Sequence, residues 1–323
     1  MSGAGVWGAR SALPSARPPR PHSRKMRMRS RRPMADELHR AGAVAILGRP
    51  NAGKSTLLNH LLGEKIAIVT AKPQTTRSRI LGILSRPDFQ IMFFDTPGMH
   101  ESAKALNVAL NELVASAAQD CDLGLLLVDP YGGWGEDHAA LHAKLLARDC
   151  PVIVVATKID LENRKKTDWP PDAPEMRQIS ARTGEGVDEL LALIAARLPV
   201  SPPHYPEDQL SDRPLRFLAA ELVREAAFEE LGQELPYALA VEVVEYDEKR
   251  TDLVRIRADL LVERRSQKQI VIGRGGQVIK RIGVRARAEI EELVGKQVHL
   301  DLWVKLEPRW AKHPKRLKTL GYS

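Results

Sequence analysis

Residues 44–62 read "VAILGRPNAGKSTLLNHLL", and this stretch decides the fold of the first half of the chain. Val44–Leu47 is a short apolar strand. Gly48, four residues, Gly53, Lys54 and Ser55 follow, and then a run with helical apolar spacing. G-x-x-x-x-G-K-S between a strand and a helix is the context that a phosphate-holding loop requires. Small residues let backbone N–H groups turn inward around phosphate oxygens, and the helix N-terminus adds partial positive charge. The expected cradle is Gly48, Arg49, Pro50, Asn51, Ala52, Gly53, Lys54, Ser55 and Thr56. Lys54 is expected to reach the outer phosphates, and the Ser55 hydroxyl to bind Mg²⁺.

Four later segments come in order and specify the base. "QTTRSR" (74–79) offers Thr75 or Thr76 as a second hydroxyl for Mg²⁺. "FQIMFFDTPGM" (89–99) reads as a buried strand ending in Asp95, Thr96, Pro97, Gly98 and Met99. Asp95 is expected to hold a Mg²⁺ water, and the Gly98 N–H to contact the γ-phosphate. "VIVVATKID" (152–160) is a second buried strand, ending in Thr157, Lys158, Ile159 and Asp160. A carboxylate at Asp160 accepts both guanine N1–H and N2–H₂, which adenine does not offer. Charge-assisted bonds of this kind contribute roughly 1.5–3 kcal/mol each. "QISARTGEG" (178–186) places Ser180 and the Ala181 N–H near guanine O6. Any one of these short motifs is common by chance. Five in order at strand ends, where open parallel sheets bind ligands, are not.

The run "GRPNAGKSTLLNHLLG…KPQTTRSRI…DTPGMH" resembles the translation-factor-like GTPases, and among them the Era family of bacterial GTPases. The resemblance implies an α/β P-loop GTPase domain with a mostly parallel sheet and helices on both faces. It implies GTP/GDP and Mg²⁺ as ligands. Lys54, Thr76 and Gly98 are the candidates for handling charge on the γ-phosphate while water attacks it. Two positions depart from related patterns. Thr157 stands where Asn is usual, which keeps an oxygen but loses an amide, so looser nucleotide binding is expected. Met99 stands where Ras-like GTPases have a water-orienting Gln, so slow intrinsic hydrolysis is expected. Relatives with Asn at the Asn51 position can hold K⁺ near the phosphates, which extends to this chain only through the resemblance.

The net charge of +8 divides unevenly. Residues 1–33 carry +9, residues 34–249 carry −11 and residues 250–323 carry +10. An acidic body thus bears a basic C-terminal third, an electrostatic footprint for polyanions. Residues 1–40 form a basic extension too poor in aliphatics to bury a core. It reads as a disordered RNA-binding arm, a transit peptide, or sequence upstream of a true start at Met34, the last being favoured. No apolar run approaches the roughly 20 residues that span a membrane. Cys121 and Cys150 have no partner at metal-ligand spacing and read as reduced thiols of a cytoplasmic protein.

The first domain is expected over 41–200, closed by the helical spacing of "VDELLALIAARL". Residues 201–214 are proline-rich and read as a linker or a rigid joint. From 215 the pattern is helix, two alternating strands, a short helical turn, the loop "VIGRGGQVIKRIG" (271–283), a helix and a third alternating strand. The loop begins like a dinucleotide fingerprint, but Val278 stands at the third glycine position and a helical element precedes Gly273. Gly273-x-x-Gly276 between two helices instead resembles a KH domain, in the type II arrangement over 215–308. The second domain is therefore expected to be an α+β type II KH fold. Ile272, Gly273, Arg274, Gly275, Gly276, Ile279, Lys280 and Arg281 are its candidate RNA contacts, with Ile272 and Ile279 flooring a groove for bases. Residues 309–323 read as a basic tail with Trp310 exposed, extending the RNA surface or frayed.

The family resemblance further implies binding near the 3′ end of 16S rRNA and assistance in 30S ribosomal subunit assembly, under GTP/GDP control and as a monomer. Segments 70–79 and 95–101 would sense the γ-phosphate, and the proline-rich joint would pass the change to the KH face. A GTPase acting at the membrane surface or in cell-cycle signalling, with RNA binding secondary, is the alternative. A metabolic nucleotide enzyme finds no acceptor-site constellation in the chain.

Overall fold

The computed structural model describes residues 39–69, 80–95, 121–161, 169, 174, 176–232 and 235–320. Thr75, Thr76, Thr96, Pro97, Gly98, Met99 and the extension before residue 39 lie outside the described residues. The first domain builds β1 (Arg40–Gly48), α1 (Lys54–Leu62), β2 (Ile80–Ser85), β3 (Phe89–Asp95), β4 (Leu123–Val128), α2 (Glu136–Leu146), β5 (Val152–Ala156), β6 (Met176–Gln178) and α3 (Val187–Arg197). The sheet order is β2-β3-β1-β4-β5-β6. Only the β2–β3 pair is antiparallel. Every residue of "LGLLLV" in β4 is buried, as expected of a central strand covered on both faces. Leu57, Leu58 and Leu61 of α1 and Leu190 and Ile194 of α3 join the strands in one core. Ala45, Leu47 and Leu126 meet Leu141 and Leu145 of α2 in another.

The second domain contains α4 (Leu215–Glu230), β7 (Ala240–Asp247), β8 (Leu253–Val262), α5 (Arg265–Ile272), α6 (Gln277–Val294), β9 (Gln297–Leu306) and α7 (Pro314–Thr319). Its sheet order is β7-β8-β9, with β7–β8 antiparallel and β8–β9 parallel. Ile282, Ala286 and Ile290, spaced by four, form the buried stripe of α6. They pack with Leu222, Val223 and Ala226 of α4 over the sheet. Sequence periodicity marks β7 from residue 237, but a 3₁₀ turn over Leu235–Ala238 precedes it and the strand starts at Ala240.

The proline-rich joint is a strap bonded to the first domain. The Ser211 hydroxyl donates to the Leu81 carbonyl (2.7 Å), and the Ile83 N–H donates to the Leu210 carbonyl (2.8 Å). Buried Gln90 accepts from the N–H groups of His204 and Tyr205 and donates to the Tyr205 carbonyl. The strap thereby covers the edge strand β2, whose open side would otherwise invite pairing.

The C-terminal reading needs correction. Trp310 is 2% exposed and packs with Leu320 against Ala240 and Leu261. Arg316 of α7 is held by both oxygens of Glu242 and by Glu307. A six-residue helix leaves too short a period for this docking to be read from sequence. Among the described residues no helix is long and apolar enough to cross a membrane.

Candidate nucleotide site and nucleic-acid interface

β1 ends by driving Gly48 against the next strand. A Cβ there would lie 2.6 Å from the Leu127 carbonyl oxygen, so only glycine lets the loop leave at this angle. The loop then turns through Asn51 (φ 60°), a conformation that Asn tolerates better than most residues. α1 starts as the Leu57 N–H bonds the Gly53 carbonyl (2.9 Å). Lys54, Ser55 and Thr56 thus form the first turn, whose N–H groups have no partner within the helix. The Lys54 side chain folds back over the loop and donates to the carbonyls of Gly48 (3.1 Å) and Arg49 (2.9 Å). Burial pulls its ammonium below the ordinary lysine pKa, with Asp95 opposing. A cation held dry in this way interacts strongly with an arriving phosphate.

The Ser55 hydroxyl donates to Asp95 Oδ2 at 2.7 Å, and Asp95 is fully buried at the end of β3. Two hard oxygens converging beside a phosphate loop suit Mg²⁺. Thr157 is 1% exposed and donates its hydroxyl to the Ala52 carbonyl of the loop (2.8 Å). Lys158 (φ 57°) donates to Asp129 (2.9 Å). The Ser180 hydroxyl is fully buried and donates to Asp160 Oδ1 (2.7 Å) while accepting the Thr183 N–H (3.1 Å). Ser180 therefore orients Asp160. Ala181 is half-buried against the core beside it. The Arg49 side chain has its partner outside the loop. It leaves the cradle and forks onto Asp137 of α2 (2.7 and 2.5 Å), so only its backbone belongs to the loop, as does that of half-buried Pro50.

In the second domain α5 ends at Gly273 (φ 73°), where a Cβ would lie 2.4 Å from Val278 Cγ2. The Gly276 N–H closes the turn onto the Gly273 carbonyl (3.2 Å). Arg274 and Gly275 are exposed at its tip. Alongside runs a groove of about 300 Å³ between α6 and the edge strand β9. Ile279, Gly283, Leu300 and Leu302 line it with Val284, and Lys280 and Arg287 supply charge. Two sequence-predicted contacts lie elsewhere. Ile272 packs half-buried on the domain core. Arg281 faces α4, where its Nε donates to Glu230 at 2.6 Å. Helical geometry separates them: 280, 283, 284 and 287 share one face, whereas 281 points away. The i, i+3, i+4, i+7 pattern from Lys280 carries the signal for Gly283, Val284 and Arg287, whereas nothing in the sequence marks Leu300 and Leu302. Among the described residues the strongly exposed tryptophan is Trp303 on β9 (60%), not Trp310.

The two domains also touch. Lys65, three residues beyond α1, bonds Glu225 of α4 (3.1 Å) and Glu289 of α6 (2.9 Å). The Val69 N–H donates to Glu225 Oε1 (3.3 Å). Desolvation pushes the Glu225 carboxyl above its ordinary pKa, against the pull of Lys65.

Residues 43–158 match the family described as 50S ribosome-binding GTPase, and residues 234–311 match the KH domain family. GTPase Era of Geobacter metallireducens is 44% identical over 300 residues, covering 90% of this chain and all of that protein. A crystal structure of an Aquifex aeolicus Era variant bound to GDP·AlF₄⁻ is 37% identical with a TM-score of 0.77, covering 88% of this chain and 99% of that one. Era in complex with MgGDPNP and nucleotides 1506–1542 of 16S ribosomal RNA matches with the same identity, coverage and TM-score. With the loop, the buried Ser180–Asp160 pair and the KH groove in one chain and relatives matched along nearly their whole length, the chain belongs to the GTPase Era family.

Proposed function

We propose that this Era-family GTPase binds Mg²⁺·GTP in the β1–α1 loop, hydrolyses it, and clamps single-stranded RNA near the 3′ end of 16S rRNA in its KH groove during 30S assembly. The observation that carries this is the coexistence, in one folded unit, of Asp160 held for guanine and a groove with apolar floor and cationic rim. Lys54 exchanges its two carbonyl partners for β- and γ-phosphate oxygens and offsets charge that grows as water attacks. Ser55 and Asp95 are the residues that hold Mg²⁺, which supplies Lewis-acid charge at the phosphates when bound. Asp160, locked by Ser180, accepts from guanine. Thr157 keeps its P-loop brace throughout. K⁺ beside Asn51 belongs to the proposal, as do a monomeric state, a cytoplasmic site of action and merely peripheral contact with the inner membrane. In the groove, Ile279, Leu300 and Leu302 take unstacked bases, while Arg274, Lys280 and the Gly273–Gly276 turn approach the strand's phosphates.

The test is fluorescence anisotropy with an RNA from the 3′ end of the small-subunit rRNA and one of equal length from the large-subunit rRNA. Each is titrated with the full chain in GDPNP and in GDP. The small-subunit fragment should bind more tightly, and more tightly still with GDPNP. Equal binding of both RNAs sinks the RNA assignment, and equal binding in both nucleotides sinks the control by GTP.

A further inference from the structure

The contact between the domains is built unlike an ordinary surface ion pair. Lys65 is shared by two carboxylates from different helices, Glu225 and Glu289. Glu225 is only 4% exposed, and its Oε1 accepts from both Lys65 and the Val69 N–H. Its buried Oε2 meets no partner among the described residues. Along the same two helices Phe217 and Leu218 of α4 and Leu293 of α6 pack on the core of the first domain. Both donors to Glu225 come from the short stretch 64–69, which leads from α1 directly into the segment carrying Thr75 and Thr76. One acceptor, Glu289, lies on the same helix as Lys280, Gly283 and Arg287 of the groove. The nine helical steps from Lys280 to Glu289 span roughly 13 Å of continuous helix.

We propose that Lys65, Glu225 and Glu289 are the positioning residues that hold the KH domain in its RNA-competent setting and make that setting depend on the bound nucleotide. The inference rests on the function proposed above and names the route of its regulation. If stretch 64–69 shifts, Lys65 and the Val69 N–H leave Glu225 together, and a half-satisfied buried carboxylate becomes a bare one. Losing both donors leaves Glu225 either charged and bare or neutralised by a proton, and both raise the free energy of this setting relative to one that exposes the carboxyl to water. The strap's hydrogen bonds to β2 and β3 fix it to the first domain.

The experiment measures small-subunit RNA affinity of the full chain in GDPNP and in GDP, for the wild type, Lys65→Met, Lys65→Arg and the double variant Lys65→Met/Glu225→Gln. Coupling of this kind spans about 5–150-fold. In Lys65→Met the GDPNP affinity should fall to within about twofold of the GDP affinity. GDP-state RNA binding and GTP binding should stay at wild-type values. Lys65→Arg should restore most of the ratio. The double variant, which leaves no bare carboxylate, should be as stable as the wild type yet remain uncoupled, separating loss of coupling from loss of fold. A wild-type ratio retained in Lys65→Met and in the double variant overturns the inference and leaves the proposed function standing. So does an equal fall in both nucleotide states. A wild-type ratio of one overturns the control by GTP and this route with it.

Discussion

Thr157 shows how a departure from a motif is resolved by its surroundings. Sequence comparison marks it as an Asn position that has lost its amide, which suggests looser nucleotide binding. In the fold its hydroxyl ties the end of β5 to the Ala52 carbonyl of the phosphate loop, so the structural half of the task is kept. Ser180 and Arg49 also hold other residues in place, Ser180 through Asp160 and Arg49 through Asp137. Short motifs made these residues legible, but their partners lie 20 and 88 residues away and no local pattern encodes them. His138 was not legible at all. It is 1% exposed, stacks on Trp134 at 5.5 Å, and accepts the Gly135 N–H on Nδ1. Desolvation lowers its pKa from 6.5 to about 4, aided by Arg49 and opposed by Asp137. Folding therefore favours the neutral ring, and between these values the unfolded chain binds more protons. Stability present at neutral pH is lost as pH falls from 6.5 towards 4, by at most about 3 kcal/mol. In His138→Asn the Asn oxygen can still accept the Gly135 N–H but nothing titrates. Thermal unfolding followed from pH 7 to 4 should show a shallower decline for the variant than for the wild type. Parallel curves would show that His138 contributes nothing to the acid sensitivity.

At the scale of elements, the turn between α5 and α6 turns on one glycine and one valine. Val278 breaks the dinucleotide fingerprint in the sequence, and in the fold it is the side chain that packs on Gly273. The same substitution that excludes a pyrophosphate loop thus makes the KH turn compact. Gly273→Ala would place a methyl 2.4 Å from Val278 Cγ2 and 3.0 Å from its backbone nitrogen, in a left-handed conformation besides. Gly275→Ala meets nothing within 4 Å, so only its φ of 59° matters, at roughly 1–2 kcal/mol. Gly273→Ala should therefore lower the unfolding midpoint further than Gly275→Ala and abolish RNA retention where Gly275→Ala weakens it. Matching midpoints for the two would mean that Val278 can yield. The helices and strands around this turn were readable because each faces a regular partner and shows an unbroken period of 3.6 or 2. The onset of β7 was not, since a 3₁₀ turn carries the same apolar residues as a strand. The lining of the groove was half readable. Its Ile279 and Lys280 sit in a motif, whereas Leu300 and Leu302 are indistinguishable by alternation from core-facing strand residues.

For the whole molecule, the basic C-terminal third does not read as one surface. Part of its charge faces the groove, and part is consumed internally. Arg281 meets Glu230, Arg285 meets Glu229, and Arg316 meets Glu242 and Glu307. Net charge per segment therefore overstates the free positive face, and only the fold shows which cations remain for RNA. The last of these pairings makes the C-terminus structural. Trp310 and Leu320 cover Ala240 and Leu261 on the sheet, and burial of one large aromatic side chain alone supports several kcal/mol in comparable cores, about 3–5 when it is deleted. Truncation after Pro308 should therefore lower the urea midpoint of the KH domain and admit protease, while GTP affinity of the first domain stays unchanged. The effect has a definite pH dependence. Hydrogen bonds from Arg316 hold the Glu242 carboxyl below its ordinary value of 4.5, burial opposing. A depressed folded pKa gives stability that is full above 4.5 and lost as pH falls through the folded value. The gap between full-length and truncated chains should thus be widest near neutral pH and narrow in acid. A truncated chain whose KH domain unfolds at the full-length midpoint at pH 7 would return the last fifteen residues to the status of a solvated tail.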